Sequence, residues 1–191
     1  MNLFAGFRSY RQQQYPGVAS NTGEVLNSDP RLYANARRWL ALAAWVGLCL
    51  AIGIIAGLLF KPGAWYAALD KPLFNPPAWL FAPVWTMLYI AMGVAAWRIA
   101  CLPASAERKQ ALRQFGVQLA LNATWTPVFF GAQSLVGGLV VIVLMAFAIV
   151  VTIQRFHPLD KIAAWLLAPY LAWVAFAAAL NVALLALNGN F

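Results

Sequence analysis

Three sets of residues spaced three and four apart carry most of the polar and aromatic chemistry in this chain. Trp85, Tyr89 and Met92 form one set; Gln118, Asn122, Trp125 and Phe129 a second; Tyr170, Trp173, Ala177 and Asn181 a third. Residues at these spacings share a helix face, so each set is a stripe. Each stripe lies in a run without charge, and in lipid an apolar face needs no explanation whereas a polar or aromatic one does. Indole and phenol rings beside carboxamides describe the wall of an apolar ligand pocket with a few orienting groups. The same stripes could form a plain bundle core, with Gln118 and Asn122 joining helices through hydrogen bonds of about 0.6–2 kcal/mol each. Three such stripes converging toward one end favour the pocket.

The chemistry available to that pocket is limited. The uncharged runs hold no Asp, Glu, His, Lys or Arg, so no paired carboxylate, metal cluster or nucleophile with its base is expected. The one histidine, His157, precedes Pro158 in a loop expected at the opposite end, and is read as a solvated turn residue rather than a haem ligand. Any reaction would have to use Trp85 and Trp173 as oxidisable indoles. A binding protein without a required cofactor is therefore expected ahead of an enzyme. Cys49 and Cys101 are too few for a disulfide framework and read as packing residues.

The elements that position the stripes follow from composition. Hydrophobic residues make up 63% and charged residues 9% of the 191-residue chain, with a mean hydropathy of +0.72. That balance marks an integral membrane protein. Trp39 to Phe60 is uncharged and long enough to cross about 30 Å of hydrocarbon at about 1.5 Å per residue. Further runs pass the same test, predicting an all-α bundle of five transmembrane helices at 30–60, 78–100, 108–131, 134–155 and 160–188. Pro127 and the Gly131-Ala132-Gln133-Ser134 cluster divide the third from the fourth, with Ser134 able to cap the new helix. Residues 1–28 read as a disordered polar tail ahead of one membrane domain, 29–191.

Between the first two helices lies a stretch with four prolines, Pro72, Pro76, Pro77 and Pro83, whose missing N–H groups forbid one continuous helix. It reads as a stiff, structured loop capping the pocket. The net charge of +8 sits beside the hydrophobic runs, which points to anionic lipid and topology rather than nucleic acid. Eleven Lys and Arg fall on the N-terminal side and only Lys61 and Lys71 on the other. The N-terminus is thus expected in the cytoplasm, with the loop and the C-terminus across the membrane. Such a bundle fits a bacterial cytoplasmic membrane. Gly116/Ala120 and Gly53/Gly57 make small faces that could join helices or two copies in a homodimer.

The stretch W-Y-x-x-L-x-K-P-x-x-N-P-P-x-W-x-F-x-P-x-W-T-x-L-Y at 65–89, with L-N-x-x-W-T-P-x-F-F-G at 121–131 and P-Y-L-x-W at 169–173, resembles the tryptophan-rich sensory protein/translocator protein family. Its mammalian members were named peripheral benzodiazepine receptors. The resemblance covers about residues 40–188. It implies a five-helix, often dimeric bundle with a pocket under the first loop that takes porphyrins such as protoporphyrin IX or haem, and in some members sterols or benzodiazepine-type ligands. It further implies that Trp65 and Tyr66 close the pocket, that Pro76 and Pro77 form the rigid turn, and that Trp85 and Asn122 approach the ligand's polar groups. Trp125, Trp173 and Ala177 would form its wall. A receptor or sensor for tetrapyrroles is the implied function, with porphyrin breakdown or tetrapyrrole and sterol transport as alternatives. Two positions depart from the pattern: Leu73-Phe74 stands where the family has a Trp after Lys-Pro, and residues 186–191 lack a Tyr followed by Lys or Arg.

Overall fold

The computed structural model describes residues 30–189, with side chains described from residue 35; the expected tail at 1–28 lies outside them. Within that range the chain is helical and contains no strand. It divides into two compact units, Met1–Trp39 and Leu40–Phe191. What is described of the first is the opening of helix α1, Pro30–Leu59; the bundle belongs to the second.

After α1 come a short helix α2, Ala64–Ala68, then α3, Ala78–Ala100, and α4, Ala106–Thr126, continued by a π-helical turn, Pro127–Gly131. Helix α5 spans Leu135–Phe156, α6 Lys161–Trp165 and α7 Ala168–Asn188. Among the described residues, four stretches are long and apolar enough to cross a membrane: Asn35–Leu59, Ala78–Ala100, Leu135–Phe156 and Lys161–Asn188. Large apolar side chains such as Leu59, Met87 and Phe147 are about 70% exposed, as a lipid-facing surface requires. Helix α4 is long but not apolar enough to join those four, because Glu107, Arg108, Lys109 and Arg113 occupy its first turns and Gln114, Gln118 and Asn122 follow.

Local chemistry sets the boundaries. Ser105 Oγ accepts from the Arg108 N–H at 3.1 Å, Ser134 Oγ from Gly137 N–H at 3.0 Å, and an Asp160 carboxylate oxygen from Ala163 N–H at 3.1 Å, each satisfying an orphan donor of a first turn. Ser134 is thus the cap expected of it. Three expectations need correction. The stretch after α1 contains the short helix α2, because Ala64–Ala68 lies between Pro62 and Pro72 with no proline inside it. Pro83, expected to stiffen the loop, lies inside α3. The last helix is divided at Leu166–Leu167, because Pro169 has no N–H for the Trp165 carbonyl.

Helices α1 and α3 touch closely at two glycines. A Cβ added at Gly93 would stand 2.5 Å from the Val46 Cα, and one at Gly53 would collide with the Tyr89 ring. Gly53 therefore serves a contact within the chain. Gly57, one turn on, meets nothing within 4 Å. At the other end of α3, Arg98 Nε and Nη2 both reach Asp160 Oδ2 at 2.8 Å, tying it to the start of α6.

Candidate functional site

Beside the upper halves of these helices lies a cavity of about 1100 Å³. Its walls come from α1, α3, α4, the π-helical turn, α5 and α7, with Tyr66 of α2 and the segment Asn75-Pro76-Pro77 at one end. Of the residues singled out in the sequence, Tyr66, Pro76, Pro77, Trp85, Tyr89, Asn122, Trp125, Phe129, Trp173 and Ala177 line it. Trp65 and Gln118 do not. Trp65 sits behind the wall, edge-on to Phe129 at 5.7 Å. Gln118 is fully buried away from the cavity, and neither polar atom of its side chain has a hydrogen-bond partner. Met92 is likewise buried in the core outside the lining.

The π-helical turn explains one feature that periodicity could not supply. Pro127 cannot donate to the Ala123 carbonyl, and the backbone widens until Ala132 N–H reaches the Pro127 carbonyl at 2.8 Å. Both Phe129 and Phe130 consequently line the cavity. Phe129 stacks on Trp125 at 4.9 Å and 20°, while Phe130 meets Phe129 edge-on at 4.8 Å. On the opposite side Phe81 meets Trp173 edge-on at 5.9 Å. Phe81, Phe130 and Lys71 were missed among the candidate residues, and only the F-F pair after a proline hinted at Phe130.

Polar groups in the wall fall into two kinds. Asn122 is paired within the protein at both ends: Tyr89 Oη donates to its Oδ1 at 2.8 Å, and its Nδ2 donates to Tyr170 Oη at 3.0 Å. Asn122 thus bridges α3, α4 and α7 while still lining the cavity. Trp125 Nε1 and both side-chain polar atoms of Asn181 are buried without partners. Trp85 lies on Tyr89 with ring centroids 5.5 Å apart.

The loop end is tied down by its own chemistry. Asp70 N–H donates to Asn188 Oδ1 at 2.8 Å, and Asn188 Nδ2 donates back to the Asp70 carbonyl at 2.9 Å, strapping the loop to the end of α7. Lys71 Nζ donates to the Leu69 carbonyl at 3.0 Å and lies 4.9 Å from the centre of the Tyr66 ring. Burial raises the Tyr66 hydroxyl above its ordinary pKa, so it stays protonated near neutrality. Among the described residues, no three His, Cys, Asp or Glu side chains gather where they could hold a metal ion.

A sequence model of the TspO/MBR family matches residues 45–187, which include every cavity-lining side chain named above. The chain belongs to the TspO/MBR family. It is 47% identical to the tryptophan-rich protein TspO of Chlorobaculum tepidum over 156 residues, covering 78% of this chain and 96% of that protein. It is 40% identical to the tryptophan-rich sensory protein of Cereibacter sphaeroides over 152 residues, 80% of this chain and 94% of that one. The translocator protein of Homo sapiens is 38% identical over 140 residues, 70% and 82% of the two chains. Membership of the TspO/MBR family and four apolar helices of spanning length make this a membrane protein.

Proposed function

We propose that this TspO/MBR protein is a membrane receptor or sensor that binds a tetrapyrrole, protoporphyrin IX or haem, among its helices beneath the α1–α3 connection. The observation that carries the reading is the largely apolar cavity of about 1100 Å³ among the described residues, walled by Trp85, Trp125, Phe129 and Trp173. Ring faces suit a flat aromatic ligand, and Lys71 at the rim suits an acidic edge. The N-terminus would lie in the cytoplasm of a bacterial cell and the loop across the membrane, on the Lys and Arg asymmetry.

Titrating protoporphyrin IX into purified protein should quench tryptophan emission with saturation, whereas an equally apolar non-porphyrin should not. Trp85→Phe should weaken binding roughly three- to tenfold with the fold retained, as expected for loss of an indole N–H and ring area. Non-saturable quenching, identical in Trp85→Phe, would remove this reading.

A homodimer is also proposed. Gly116 and Ala120 form an exposed small face on α4, and a Cβ added at Gly116 meets nothing within 4 Å. Gly116→Leu should turn dimer into monomer in native mass measurement; an unaffected dimer would place the interface elsewhere.

A further inference from the structure

The cavity wall contains a carboxamide that the protein itself leaves unpaired. Asn181, on α7, is 2% exposed and lines the cavity, yet neither Nδ2 nor Oδ1 has a hydrogen-bond partner. Trp125 Nε1, on α4, is in the same state. Asn122, by contrast, spends both ends of its amide on tyrosines. A buried amide without partners is costly, and a leucine, branched at the same atom but apolar, would avoid that cost. Helix α5 is cut back beside it: a Cβ at Gly138 would stand 3.1 Å from Asn181 Nδ2 and 2.6 Å from Phe129 Cδ2. The wall therefore keeps a polar group in an apolar place, and the glycine lets it approach α5 closely.

Resting on the reading of this cavity as a ligand site, we propose that Asn181 is a specificity residue for ligands with a donor and an acceptor on one edge. A carboxamide, a lactam or an un-ionised carboxylic acid has that edge, and it can pair with both ends of the Asn181 amide at once. Trp125 Nε1–H donates to a further acceptor on the same ligand. The Asn181 polar atoms are shielded where Nδ2 lies close against Gly138, so pairing requires the side chain to turn from α5 toward the ligand. A ligand without such an edge leaves the amide unpaired and is disfavoured.

The test uses the full chain in nanodiscs and two probes of similar shape, 2-anthracenecarboxamide and 2-methylanthracene, followed by energy transfer from tryptophan. The wild-type protein should prefer the carboxamide by roughly tenfold or more. Asn181→Leu should abolish the preference, keep methylanthracene binding, and raise the melting temperature of the empty protein, because the unpaired amide is gone. Trp125→Phe keeps the stacked ring and removes only the donor, so it should reduce the preference and carries the test if Asn181→Leu does not fold. Retention of the full preference in either folded variant overturns the proposal, as does a lower melting temperature for Asn181→Leu with the preference intact. Ala177→Trp, which fills the cavity, separates the two readings: if it still binds both probes, the cavity is not the site. If it loses both while Asn181→Leu keeps the preference, only the role of Asn181 fails.

Discussion

Asn122 shows how much a residue's function depends on partners that sequence does not reveal. Its spacing with Gln118 and Trp125 placed it on an inward face, and the resemblance gave it a ligand. Its amide also joins Tyr89 and Tyr170, both buried, while the residue lines the cavity. Asn122→Leu leaves two buried hydroxyls without this partner, a cost of about 1–3 kcal/mol, tempered toward about 0.6 kcal/mol per bond where lipid is the reference. We therefore expect a clear fall in melting temperature, and an equal loss of porphyrin affinity and of stability rather than a selective loss of binding. A variant as stable as the wild type but unable to bind would return Asn122 to the ligand. Gln118 and Asn181 carry the complementary lesson: periodicity put both inward, and only the packing tells that one faces core and the other the cavity. Trp65 was legible as part of the closure but not as its second layer, because an aromatic pair in a short helix gives no clue to which ring is in front.

At the level of elements, the long helices were legible because uncharged length and Ser or Asp caps are local signals, whereas backbone irregularities were not. The widened turn at Pro127 and the break before Pro169 depend on how freed carbonyls are satisfied, which spacing does not encode. The junction of α3 with α6 was also invisible, since Arg98 and Asp160 are 62 residues apart. Burial alone would raise the Asp160 carboxyl, but the Ala163 N–H and the Arg98 guanidinium outweigh it and hold the group below its ordinary pKa. A depressed carboxyl contributes stability that is complete above its unfolded-state pKa and is lost as pH falls through the lower folded value. Melting temperature should therefore fall as pH is lowered into and below the ordinary aspartate range, about 4. Asp160→Asn keeps a capping oxygen and loses the ion pair, so it should be less stable at neutral pH and show a shallower acid decline. An unchanged acid limb in that variant would assign the decline to other carboxylates.

For the whole molecule, we expect α4 to cross the membrane with the four more apolar helices. Its low hydropathy has two sources of different meaning. Glu107, Arg108, Lys109 and Arg113 sit in its opening turns, where a surface is expected, but Gln118 and Asn122 are buried among neighbouring helices and never meet lipid. Gln114 likewise donates to the Ala148 carbonyl of α5 at 3.3 Å. Averaging along the sequence counts these inward groups as though they faced the bilayer. From Gln114 through the π-helical turn to Gly131 the chain carries no charge, and at about 1.5 Å per residue this stretch covers roughly 27 Å, close to the hydrocarbon thickness. A spanning α4 would place the exposed Cys101, just past α3, and the exposed Gln133, just past the π-helical turn, on opposite sides. Cys49 is fully buried and gives little background. A membrane-impermeant maleimide should label Cys101 only in opened cells, while Gln133→Cys in a Cys101→Ser background should label in intact cells. Labelling of both from one side would mean that α4 returns to the surface it left, leaving four crossings, and reversed labelling of both would invert the orientation that the Lys and Arg distribution implies.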